Sequence, residues 1–90
     1  MEVSRDLPGV ARVSGKQDVE QDLVRLGQAI RAHRKALGLT QEALADAAGV
    51  DRAHMGKIER GERNVTLLNL LRIAAAVKCR ASDIMEKAGL

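Results

Sequence analysis

This sequence predicts an all-α fold of five helices with a helix-turn-helix at its centre. Residues 38–61 read as two short helices joined by one tight turn, each with a capping residue of its own. From Leu23 onward apolar residues recur at helical spacing, with no alternating run that reads as a strand. The chain has no Phe, Trp or Tyr among its 90 residues. Its core must therefore be Leu, Ile, Val, Met and Ala, which suits closely packed helices better than strands.

Taken in order, residues 1–17 hold Pro8, Gly9, Gly15 and scattered charges without periodicity. They read as an arm outside a domain spanning residues 18–90. Two readings of the arm stand side by side: a disordered leader, or a basic arm reaching DNA through Arg5, Arg12 or Lys16. Helix 1 is expected from about Val19 to Leu37, with Asp18 as its cap and Leu23, Leu26, Ile30 and Leu37 as its apolar stripe. Arg34 falls on that stripe, four residues after Ile30. A buried cation requires a carboxylate partner. Gly38 ends the helix.

Helix 2 is expected over Gln41–Ala48 with Thr40 as cap, and helix 3 over Arg52–Arg60 with Asp51 as cap. Gly49 lies between them, where a left-handed backbone costs glycine little. Leu44, Ala45, Ala48, Val50, Met55 and Ile58 face inward, and Gly61 is the stop. After a polar loop at residues 62–65, Thr66 caps helix 4, expected from Leu67 to about Val77. Leu67, Leu70, Leu71, Ala74 and Val77 are read on its core side, Leu68 and Ala75 on a flank, and Ile73 on the other side. A helix apolar over so wide an arc is buried on two sides. One side would meet the core and the other a second copy of the chain. Ser82 is read as the cap of helix 5, which ends near Ala88 and contributes Ile84, Met85 and Leu90.

Helix 3 places Met55, Ile58 and Glu59 on one side and Ala53, Gly56, Lys57 and Arg60 on the other, with Arg52 at its open first turn. Small residues and long cations on one outward face suit a helix lying in a major groove. Arg52 can pair with guanine O6 and N7, Lys57 with guanine or phosphate, and Ala53 with a thymine methyl. On an isolated surface helix the same residues would be ordinary solvated charges. Glu59 falls on the inner face, as Arg34 does in helix 1, and the two are natural partners. Gln41 at the first turn of helix 2, and Arg63 and Asn64 before helix 4, are placed to meet phosphates; for the loop the plainer reading is turn chemistry. His54, in the first turn of helix 3, is a further candidate for the DNA backbone.

Other chemistry finds little support in the sequence. Net charge is +3, of which residues 1–17 carry +1 (Arg5, Arg12 and Lys16 against Glu2 and Asp6), so position matters more than sum. Without aromatic stacking platforms, single-strand or RNA recognition is disfavoured. His33, His54 and Cys79 lack the spacing of a metal motif, and no metal or cofactor is expected. The one cysteine cannot form an internal disulfide, and a reducing cytoplasm is the simpler setting. No apolar run approaches the roughly 20 residues of a membrane span. No signal peptide, small-molecule ligand or catalytic constellation is expected.

Leu26-Gly27-x-x-Ile30-Arg31-x-x-Arg34, Gly38-Leu39-Thr40-Gln41-x-x-Leu44-Ala45, Ile58-Glu59-Arg60-Gly61 and Leu70-x-x-Ile73-Ala74 together resemble the Cro/CI (Xre-type) family of helix-turn-helix proteins. The resemblance covers residues 23–88. It implies a five-helix, phage-repressor-like DNA-binding domain, an Arg34–Glu59 bridge, a Gln41 contact at the DNA backbone, and base reading by Arg52, Ala53, Gly56 and Lys57. Within the family, the run from Glu59 to Leu67 looks most like controller proteins of restriction–modification systems, which implies a small homodimeric regulator of its own operon. The expectation is thus a transcriptional regulator of double-stranded DNA, bound to a two-fold operator as a homodimer through Leu68, Leu71, Ile84 and Met85. A protein-interaction module of the antitoxin or adaptor kind is the alternative on the same fold.

Overall fold

The computed structural model describes residues 15–90, with side chains from residue 18 onward. Five helices run in order: α1 (Gly15–Ala36), α2 (Gln41–Ala48), α3 (Arg52–Glu59), α4 (Leu67–Ala76) and α5 (Ala81–Lys87). There is no strand among the described residues. Arg5 and Arg12 lie outside them, and Lys16 is described in its backbone alone.

α1 starts at Gly15, ahead of the expected Asp18 cap, so the last residues assigned to the arm belong to its first turn. Leu26, Ala29 and Ile30 are buried, Leu23 is half-buried, and Leu37 is exposed rather than part of the stripe. Leu37 lies past the last helical turn, where the chain has begun to bend toward Gly38 at φ +72°.

The caps on α2, α3 and α4 follow the sequence reading. The Thr40 hydroxyl accepts from Ala43 N–H at 3.0 Å, an Asp51 carboxylate oxygen from His54 N–H at 3.2 Å, and the Thr66 hydroxyl from Asn69 N–H at 3.0 Å. α5 departs from it. Ser82 does not cap; the helix begins at Ala81, two residues ahead of the start a Ser82 cap implies, and Arg80 N–H donates to the Asp83 carboxylate at 2.9 Å. A carboxylate at the third position of the helix accepts from the amide of the cap residue itself, the reverse half of a capping box.

One core joins all five helices: Leu26, Ile30, Leu44, Met55, Ile58, Ile73 and Ile84 are its larger members. α1 packs on α3 and α5, α2 on α3 and α4, and α4 on α5. α4 is rotated relative to the sequence expectation. Leu70, Ile73, Ala74 and Val77 enter the core, whereas Leu67, Leu68 and Leu71 are 70%, 56% and 49% exposed. Positions 70, 73, 74 and 77 form an unbroken i, i+3, i+4, i+7 stripe, so Ile73 displaces Leu67 and Leu71 from the inner face. Ile84, expected at a subunit interface, is instead fully buried as the anchor of α5, and Met85 is half-buried against the same core. α5 is a seven-residue helix and needs its one fully buried side chain, Ile84, to dock on the domain.

Gly27 explains how closely α1 approaches α3. A Cβ on it would stand 2.5 Å from the carbonyl oxygens of Ile58 and Glu59. No side chain fits there. The end of the second helix of the pair is thereby seated directly on α1.

Candidate nucleic-acid interface

The turn between α2 and α3 is fixed locally. Gly49 takes φ +71°, its amide donates to Asp46 O at 3.2 Å, and Val50 N–H donates to Ala45 O at 2.8 Å. The left-handed residue terminates α2 and returns the chain, and the Asp51 cap starts α3 two residues later. Buried Met55 and Ile58 then press α3 onto the core and set which of its faces is open.

A buried polar cluster holds the other end of α3. Arg34 Nε donates to Glu59 Oε2 at 2.7 Å and Arg34 Nη2 to Glu59 Oε1 at 3.0 Å. The third guanidinium nitrogen, Nη1, donates to Leu39 O at 2.9 Å. The Glu59 side chain is 2% exposed and that of Arg34 10% exposed. The paired geometry uses the planar fork of arginine and leaves neither charge alone, which is what makes burial tolerable. Gln41 Nε2 also donates to Glu59 Oε1, at 2.9 Å. The residue read from the sequence as a phosphate contact is therefore oriented from behind by the same carboxylate, with one amide N–H still to give.

On the open face, Arg52 and Ala53 are exposed, and His54 and Lys57 are half-buried. Arg52 Nη1 lies 3.8 Å from Glu42 Oε1, with both side chains largely in solvent. Such a contact is worth little and releases easily. Gly56 does not sit open on this face. It is buried, because the Arg60 Nη1 and Gln41 Oε1 atoms stand only 3.3 and 3.5 Å from where its Cβ would be. The expectation that Gly56 itself meets a base is therefore not met here: a 100° projection could not show two neighbouring side chains lying over it. Arg63 and Asn64 are exposed in the loop before α4, beside Val19, Leu23 and Val24 of α1.

Two features of the site escaped the sequence reading. One is the Gln41–Glu59 hydrogen bond. The other is a pair between Arg60 and Glu62: Nε to Oε2 at 2.9 Å and Nη2 to Oε1 at 3.3 Å. The hydrogen bond from Arg60 holds the Glu62 carboxyl below its ordinary value. No group of three or more His, Cys, Asp or Glu that could hold a metal occurs among the described residues, and none of the described helices is long and apolar enough to cross a membrane.

Comparison with known proteins places this geometry. A helix-turn-helix family model matches residues 30–84. Control protein C.SmaI of Serratia marcescens is 37% identical over 65 residues, which is 72% of this chain and 77% of that protein. Control protein C.MunI of Mycoplasma sp. is 36% identical over 64 residues, 70% of this chain and 86% of the relative. The crystal structure of the restriction-modification controller protein C.AhdI from Aeromonas hydrophila superposes with a TM-score of 0.69 at 46% identity, covering 70% of this chain and 96% of that one. The chain belongs to the helix-turn-helix family of transcriptional regulators, of the Cro/CI (Xre) type.

Proposed function

We propose that this chain is a sequence-specific DNA-binding regulator of the controller kind, acting as a homodimer on a two-fold operator. The observation that carries the reading is the open face of α3, where Arg52, Ala53 and Lys57 project from a helix locked in place by Met55, Ile58 and the Arg34–Glu59 pair. Arg52 and Lys57 supply donors for base edges, and Ala53 offers a methyl-sized contact. Gln41, His54, Arg63 and Asn64 serve the sugar–phosphate backbone, which fixes register without reading sequence. Two relatives named as control proteins, and a structural neighbour named as a restriction-modification controller protein, support the narrower assignment to controllers.

Dimerisation brings two such helices to one side of the duplex. The surface proposed for it is the outer face of α4, where Leu67, Leu68 and Leu71 form a contiguous exposed patch at i, i+1 and i+4; half-buried Met85 of α5 is a further candidate contact. Ile84 takes no part.

Sequencing of genomic fragments retained by the purified protein tests this directly. A recurring two-fold motif with half-site centres about one helical turn (~34 Å) apart is expected. Fragments without a shared motif would overturn the reading in favour of a protein-interaction module. Within the motif, Arg52→Ala should lose ~1–3 kcal/mol of discrimination at a single base pair per half-site, read by titration against single-substitution duplexes.

A further inference from the structure

Arg60 is poorly placed, by its backbone, to read a base. It caps the C-terminal end of α3, away from the first turn that carries Arg52. Its side chain reverses that placement. The guanidinium folds back over Gly56, with Nη1 3.3 Å from where a Cβ would stand, beside the Gln41 amide. The head group thus lies on the middle of the same open face that holds Ala53 and Lys57.

Glu62 determines how that head group is held. Its carboxylate takes the Nε and Nη2 edge of the guanidinium. Three N–H donors are left: two on Nη1 and one on Nη2. Nη1 and Nη2 together form the end edge of the fork, which matches the O6 and N7 acceptors of guanine. The pair is also electrically neutral as a unit. A lone arginine on this face would bind any phosphate, and that attraction is indifferent to sequence. A carboxylate-held arginine keeps its directed donors and gives up most of the indifferent attraction.

We propose that Arg60, positioned by Glu62 across Gly56, is a second guanine-reading group of this protein, and that Glu62 is a specificity-determining residue. The inference rests on α3 facing DNA as proposed above. Arg60 touches the base; Glu62 acts through Arg60. Gly56 leaves room for the guanidinium; a Cβ there would stand 3.3 Å from Nη1 and displace it slightly.

The test uses the full chain, a duplex bearing the motif recovered from genomic fragments, single-substitution versions of it, and a mixed-sequence duplex of equal length. Both side chains are more than half exposed, so the variants are expected to fold, and circular dichroism checks this. Arg60→Ala should erase a preference of roughly 5- to 150-fold at one G·C pair per half-site and leave other positions unchanged. Glu62→Gln should bind mixed-sequence DNA more tightly, with a salt dependence steeper by about 0.9 per subunit in log–log slope, while its operator preference falls. Equal losses on operator and mixed DNA with Arg60→Ala would make Arg60 a phosphate contact and overturn the inference. So would an unchanged operator preference in Glu62→Gln. If Arg52→Ala still relaxes specificity in those cases, only this inference fails. If the wild type does not discriminate between the duplexes, the DNA-reading assignment of α3 fails with it.

Discussion

Glu59 is the residue on which the geometry of α3 depends most. One carboxylate accepts from the Nε and Nη2 edge of Arg34 and from Gln41, and so ties α1, α2 and α3 together. Removing it would leave the Arg34 guanidinium nearly buried with only the Leu39 carbonyl as partner. Glu59→Ala is therefore expected to destabilise the domain by ~3–5 kcal/mol in denaturant titration. Replacing Arg34 and Glu59 together by methionine should recover much of that loss, because no charge is then stranded. A double variant as unstable as Glu59→Ala would count against burial of the charge as the cause. The pairing was legible in the sequence because each residue carried a charge on an otherwise apolar stripe. The Arg60–Glu62 pair was not, since residues two apart do not meet on a helix surface. They meet here because α3 has ended at Glu59 and Gly61 turns the chain at φ +77°. Cys79 illustrates a different residue-level effect. Burial, and secondarily the Asp83 carboxylate, push its thiol up from the ordinary value. Alkylation at neutral pH should consequently be slower in the folded protein than in urea, and equal rates would show the thiol to be unperturbed.

At the level of elements, the sequence was clearest where a special backbone geometry demands a particular residue. Thr40, Asp51 and Thr66 cap α2, α3 and α4, and Gly49 adopts the left-handed conformation that ends α2. Thr40→Ala should cost about 1 kcal/mol. It was least clear in α4, where Leu67, Leu68, Leu70, Leu71 and Ile73 offer two apolar arcs of similar strength. Periodicity alone cannot choose between such arcs; the facing helices do, and here α2 and α5 select Leu70, Ile73, Ala74 and Val77. Gly27 shows the same limit. It falls on the inner face with Ile30 and Arg34, but nothing in the sequence alone says which backbone it must meet; α3 supplies it. Gly27→Ala should force α1 and α3 apart, since backbone carbonyls at 2.5 Å cannot rotate away as a side chain would. A loss of ~1–3 kcal/mol is expected, with weaker operator binding because the open face of α3 moves with its helix.

At the scale of the whole molecule, stability and DNA binding are expected to share one surface. A chain this small buries a modest core, and three leucines of α4 remain in solvent when that core is complete. A second copy covering them would stabilise the fold by mass action, so the melting temperature of the wild type should rise with protein concentration. The same contact would set the spacing of the two α3 helices. Leu68→Glu with Leu71→Glu is expected to give folded monomers by sedimentation, with a melting temperature independent of concentration and much weaker binding to a full operator than the wild type. Ile84→Asp should behave differently. Its side chain is fully buried between α5 and the rest of the core, so an uncompensated carboxylate there should unfold the domain rather than separate two subunits. A folded, monomeric Ile84→Asp protein would place the interface on α5. A wild type that stays monomeric at tens of micromolar, and binds half-sites as well as full operators, would remove the dimer from the mechanism altogether.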